Sequence, residues 1–183
     1  MTRRSFLTLA GSALLLTACG FTLRGQQDYV FKRLAITGAA PSVVARLTRI
    51  VEGGSDTVVV TVPANADAVL RVAESRGNSV LTLNSLGVVE EYQLNYTLNY
   101  TLFGPDGRVL IQPSSIALNR AITYNDQYTQ AKSAETEILF SDMQNDAVDQ
   151  LIRRLAVVRS LHPAAGEEVP SAAPRAPLPP PPL

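Results

Sequence analysis

The chain has 183 residues, 46% of them hydrophobic, and its 16 Lys and Arg balance its 16 Asp and Glu. That balance excludes the broad basic surface that nucleic-acid binding requires, and the length supports one domain with a core of its own. A single Cys and a single His exclude an intrachain disulfide and leave little material for metal or nucleophilic chemistry.

The first element stands outside the fold. Arg3 and Arg4 precede an apolar run from Phe6 to Ala18, shorter than the roughly 20 residues of a bilayer-spanning helix. Charged, apolar, then small is the layout of a secretory signal, so residues 1–18 are expected to be removed. The stretch "LTAC", residues 16–19, resembles the bacterial lipobox, which implies diacylglycerol on the Cys19 sulfur, cleavage before it and acylation of the new amine. Each buried methylene contributes about 0.8 kcal/mol and stable anchoring needs about two chains, so a multiply acylated Cys19 would hold the protein on its membrane. "TRRSFLT" at 2–8 resembles a twin-arginine export motif, with an ordinary signal as the equal alternative. Gly20 stands where Asp would resemble an inner-membrane retention signal, which points to the outer membrane. Loss of Arg3 and Arg4 leaves the mature chain close to neutral.

Residues 29–37, "YVFKRLAIT", are β-branched and aromatic and predict a strand. "APSVVARLTRIVEGG" predicts a helix that starts at Pro41 and stops at Gly53-Gly54. Val43, Val44, Leu47, Ile50 and Val51 share one face of it, with Arg46 and Arg49 away from the centre of that face. A short apolar segment, "TVVVTVP" at 57–63, leads to "AVLRVAES" and "NSVLTLNS", read as two strands around a break near Gly77-Asn78. The clearest pattern is "EYQLNYTLNYTLFGPDGRVLI", 91–111. Tyr92, Leu94, Tyr96, Leu98, Tyr100 and Leu102 fall on one side of a strand and Gln93, Asn95, Thr97, Asn99 and Thr101 on the other. "GPDG" at 104–107 is a turn, and "RVLIQPSSIALNRAITY" returns antiparallel, with Pro113 marking an edge, bulge or break.

From about Ala131 to Val158, an apolar stripe of Phe140, Met143, Ala147, Val148, Leu151, Leu155 and Val158 is interrupted by Gln144, opposite Glu135, Asp142, Asp149 and Arg153. The order predicts an α+β fold: a two-layer sandwich whose small, mostly antiparallel sheet carries two helices on one face. That domain is expected over 19–160. Residues 161–183 hold eight of the chain's 12 prolines and are expected to form an extended, disordered tail.

An enzyme is not expected. His162 lies at the start of the tail and Cys19 is used for lipidation, so no base serves a nucleophile. Glu90 and Glu91 are adjacent on a strand and point to opposite faces, so they do not converge as acid and base. No glycine spacing forms a phosphate loop, and no metal set or cofactor is expected beyond the acyl chains on Cys19. The two "NYT" sequons at 95–97 and 99–101 are read as products of the alternation. The polar face that carries Asn95, Thr97 and Asn99 either meets water or meets another protein, since uncharged amides and hydroxyls suit a polar barrel lumen.

Three stretches, "ACGFTLRG" (18–25), "VVEEYQLNYTLNYTLFGPDGRVLIQPSSIALNRAITYN" (88–125) and "AKSAETEILFSDMQNDAVDQLIRRL" (131–155), together resemble the lipopolysaccharide-assembly lipoprotein family LptE, also called RlpB. The resemblance implies a small sheet with two helices. It also implies a periplasm-facing outer-membrane lipoprotein, seated inside an LptD-type β-barrel and assisting lipopolysaccharide delivery to the cell surface. The polar face at Asn95, Thr97 and Asn99 then faces the barrel. Lipopolysaccharide phosphates need cationic donors; Arg108 and Arg120 rank first because they fall inside the resembling block, followed by Arg71 and Arg76. A different lipid-anchored scaffold, serving another outer-membrane or cell-wall complex through the Pro-rich tail, is the rival reading. A lipid-anchored hydrolase comes third.

Overall fold

The computed structural model describes residues 27–162. The signal segment, Cys19 and residues 163–183 of the tail lie outside the described residues, whereas Leu161, expected in the tail, packs against the core. Tyr29 and Phe31 stack with ring centroids 5.1 Å apart and are buried. Burial pushes the Tyr29 hydroxyl up to about 12. The chain then enters β1 (Arg33–Thr37), shorter than the 29–37 expectation because those two rings serve the core from an irregular lead-in.

Helix α1 (Pro41–Gly54) follows with the predicted bounds and buries Val43, Leu47 and Val51. Between them, Gly38 has φ +80, and a Cβ there would lie 2.5 Å from the Val72 carbonyl oxygen. Only glycine allows this left-handed turn to pass so close to the next strand. Strand β2 (Val58–Val60) pairs parallel with β1, which pairs parallel on its other side with β3 (Ala68–Leu83). The Asp67 carboxylate fastens this junction, accepting from the Arg33 guanidinium (2.7 Å) and from the Lys32 and Arg33 amides. The Arg33 hydrogen bond holds its carboxyl below the usual range.

Strand β3 runs unbroken from Ala68 to Leu83, which corrects the expected break near Gly77-Asn78. Gly77 pairs with Asn95 and Asn78 with Leu94, so continuous pairing with the neighbouring strand overrides the weak local preference of both residues. The reversal comes instead at Asn84–Val88, where Gly87 has φ +77 and the Asn84 side chain accepts from the Leu86 and Val88 amides. Strands β4 (Val89–Phe103) and β5 (Val109–Thr123) complete a five-stranded sheet of order β2-β1-β3-β4-β5. Tyr100 pairs with Ser114 but Leu102 with Ile111, so Gln112 and Pro113 bulge opposite Thr101. Proline is tolerated because β5 is the sheet edge.

Helix α2 (Thr129–Leu155) begins slightly before and ends slightly before the predicted bounds, with Val158 still buried beyond it. It lays Phe140, Met143, Ala147, Val148, Leu151 and Leu155 on the sheet face lined by Leu70, Val72, Leu94, Tyr96, Leu98 and Leu102. Both helices share that face. Asp149, expected on the outer surface of α2, instead pairs with Arg46 of α1 at 2.9 Å and ties the helices together. The result is the expected α+β sandwich, with a mixed sheet because β1 runs parallel to both its neighbours.

Candidate interaction surfaces

The sheet face turned away from the helices is built by register. Ala73, Asn99 and Ser115 form one row across β3, β4 and β5, followed by Ser75–Thr97–Ala117, Gly77–Asn95–Asn119 and Ser79–Gln93–Ala121. No side chain in these rows is ionisable. Asn95 donates to Ser79 Oγ at 3.4 Å and to the Gln93 carbonyl at 3.3 Å. Asn95, Thr97 and Asn99 therefore occupy the centre of one uncharged, hydrogen-bonding surface, as the alternation predicts.

The four arginines are not brought together. Arg71 is exposed on that same face at its β4–β5 turn end, its guanidinium 5.1 Å from the Phe103 ring centre. Arg76 faces the helix layer, lies 5.9 Å from the Tyr96 and 5.6 Å from the Phe140 ring centres, and approaches Glu137 at 3.7 Å. Arg120, opposite Leu94, also faces the helices and meets Asp146 at 3.3 Å. Arg108 closes the β4–β5 turn with Asp106 at 3.4 Å, and its amide helps hold the Asp106 carboxyl below the usual range. Three of the four thus have a carboxylate partner; Arg71 has a ring.

Two features escaped the sequence reading. The β3–β4 hairpin projects past the helices and exposes Val80, Leu81, Leu83, Leu86 and Val88, with Leu86 at 86%. Its signal was present: residues 77–89 contain no charge. Beside its base, a groove of about 500 Å³ opens between β4, β5 and the first turns of α2, lined by Tyr92, Ile122, Tyr124 and Lys132 among others. Lys132 donates there to Thr123 Oγ1 and Glu135. That groove needs tertiary placement and could not be read from either segment alone.

Among the described residues, no group of three or more His, Cys, Asp or Glu could hold a metal, and no helix is long and apolar enough to cross a membrane. What the geometry defines is a small α+β module with a broad uncharged sheet face and an exposed apolar hairpin.

Comparison with known proteins gives that module its family. Residues 31–155 match the lipopolysaccharide-assembly family LptE. The chain is 32% identical over 166 residues to an LPS-assembly lipoprotein LptE of Photorhabdus laumondii, covering 87% of this chain and 90% of that one. It is 30% identical over 168 residues to an LPS-assembly lipoprotein LptE of Yersinia enterocolitica, covering 87% and 79%. Among solved structures, the solution structure of an uncharacterized lipoprotein B from Nitrosomonas europaea superposes with a TM-score of 0.64 at 31% identity, covering 75% of this chain and 90% of that chain. The chain belongs to the LptE family.

Proposed function

We propose that the chain is a non-enzymatic outer-membrane lipoprotein subunit of the lipopolysaccharide translocon, anchored through an acylated Cys19 and seated in the lumen of an LptD-type β-barrel. The observation that carries the seating is the uncharged face around Asn95, Thr97 and Asn99. A partner wall that is polar and wet asks for amides and hydroxyls rather than apolar or charged groups. The family match over residues 31–155 supports the lipopolysaccharide role. In this reading residues 1–18 are the signal, 19–160 the domain and 161–183 a tail.

Lipopolysaccharide offers phosphates and acyl chains. Arg71 is the readiest phosphate donor of the four arginines, because Arg76, Arg108 and Arg120 must first release carboxylates. The uncharged hairpin tip suits acyl chains. The test is purification of the tagged, lipidated chain from native membranes in mild detergent, with mass spectrometry of the chain and its companions. An acylated Cys19 with a stoichiometric LptD-type barrel is expected; an acylated chain with a different companion sinks the translocon reading in favour of the other scaffold.

A further inference from the structure

Strand β5 is a sheet edge of 15 residues, and its two halves are treated differently. Tyr124 donates its N–H to the Glu90 carbonyl at 2.7 Å, one step past the Glu91–Thr123 pair. Bonded pairs alternate along an antiparallel ladder. Ile122, Arg120, Leu118, Ile116 and Ser114 therefore bond to β4, whereas Ser115, Ala117, Asn119 and Ala121 turn their N–H and C=O groups outward. An independent contact agrees: Arg154 of α2 reaches round to donate to the Ser115 carbonyl at 3.2 Å.

The half of β5 nearest the β4–β5 turn is guarded against pairing, by the bulge at Gln112-Pro113 and by Arg154 on Ser115. Such devices are how proteins protect sheet edges. From Ala117 to Ala121 there is none. Ala117, Asn119 and Ala121 are exposed, and the one charge in the stretch, Arg120, points to the helix side, where it meets Asp146. Among the described residues no group occupies these main-chain donors and acceptors.

We propose that the Ala117–Ala121 edge of β5 takes an extended segment of a partner protein, added to the sheet as a sixth strand through main-chain hydrogen bonds. The proposal rests on the reading that the uncharged face meets a protein, because Ala117, Asn119 and Ala121 supply the third column of that face. A partner seated on the face is carried directly to the edge. Lipid is unsuited, since hydrocarbon offers nothing to unpaired peptide groups. The chain's own tail is a poor strand, with Pro179–Pro182 lacking donors altogether.

The experiment is amide hydrogen exchange on the full-length lipidated protein, alone in mild detergent and again as the complex from native membranes. Alone, the Ala117, Asn119 and Ala121 amides should exchange fast and those of Leu118 and Arg120 slowly; in the complex the first three should slow at least tenfold. An Ala117→Pro variant removes an outward donor at an exposed edge position and takes no polar side chain from the face, so its unfolding midpoint should stay near wild type while partner recovery falls fivefold or more. Edge amides as fast in the complex as alone overturn the proposal, even if the barrel copurifies and the translocon reading stands. Protection that grows with concentration in the protein alone makes the occupant a second copy and also overturns it. Protection by a companion that is not an LptD-type barrel leaves the edge proposal standing and fells the translocon reading.

Discussion

Gln144 of α2 and Glu74 of β3, 70 residues apart in sequence, meet at 3.0 Å on a carboxylate oxygen that also accepts the Tyr96 hydroxyl at 2.7 Å. This explains the polar interruption in the apolar stripe of α2. Gln144 is 7% exposed and Tyr96 fully buried, and each finds its partner in one carboxylate. Glu74→Leu should lower stability by about 2–4 kcal/mol, because it strands two buried donors. Gln144→Leu removes one donor, leaves the Tyr96 bond, and should cost under about 1 kcal/mol. Urea unfolding of both variants measures the difference; equal costs would show that the carboxylate is not the hub.

The same burial predicts an alkaline limit. Burial first, and the Glu74 hydrogen bond second, push the Tyr96 hydroxyl well above its ordinary value of 10.0, and burial pushes Tyr29 up to about 12. Both tyrosines keep their protons longer folded than unfolded. Their contribution is complete below about pH 10, where the unfolded tyrosines are still protonated. Above that, the unfolded chain releases protons that the folded chain retains, so stability falls by up to about 1.4 kcal/mol per pH unit per tyrosine. The fall from Tyr29 ends near pH 12, and that from Tyr96 continues further. Denaturant midpoints from pH 8 to 11.5 should bend downward near pH 10, and Tyr96→Phe should make the slope shallower.

Two glycines should respond in opposite directions to the same change. Gly38→Ala places a methyl 2.5 Å from the Val72 carbonyl oxygen on a left-handed backbone, at an expected cost of about 2–4 kcal/mol. Gly53→Ala, inside α1 with nothing within 4 Å of the new Cβ, should stabilise by about 0.5–1 kcal/mol. Thermal midpoints of the pair, measured side by side, separate the two cases.

How much of this was legible before folding depended on whether a feature is local. Helix α1 was bounded correctly because Pro41, the apolar face and the closing glycines all lie within its own segment; the body of β4 was legible because alternation is a property of one strand, although β4 begins at Val89, two residues before the pattern. Gly77-Asn78 misled because a glycine beside an asparagine signals a turn only if the backbone adopts positive φ, and pairing with Asn95 and Leu94 holds it extended instead. Asp149 looked like surface and Gln144 like an interruption because their partners, Arg46 and Glu74, are distant in sequence. The uncharged face was half visible: Asn95, Thr97 and Asn99 came from the alternation, while Ser75, Gly77, Ala117 and Asn119 joined it only once register was fixed. The open edge of β5 was invisible, since bond direction along a ladder follows from pairing and not from residue type.

Thr97 and Leu98 are neighbours in sequence on opposite faces of β4, and the same substitution at each should fail in different ways. Leu98 is fully buried, so Leu98→Lys drives an ammonium among apolar side chains, where the one carboxylate opposite it, Glu74, is already engaged by Tyr96 and Gln144, and should abolish cooperative folding. Thr97 is half-buried, among Ser75, Ala117, Asn95 and Asn99, and Thr97→Lys can extend its ammonium into water, changing stability by less than about 1 kcal/mol. Seated against a partner, that same lysine would be desolvated without a counter-charge, which costs far more than it does in water. The expected outcome for Thr97→Lys is a wild-type unfolding curve with recovery of the membrane partner reduced by tenfold or more. Unchanged recovery with an intact fold would mean that the uncharged face meets only solvent, and the partner's seat would have to be sought on the helix side, beside the groove at Lys132.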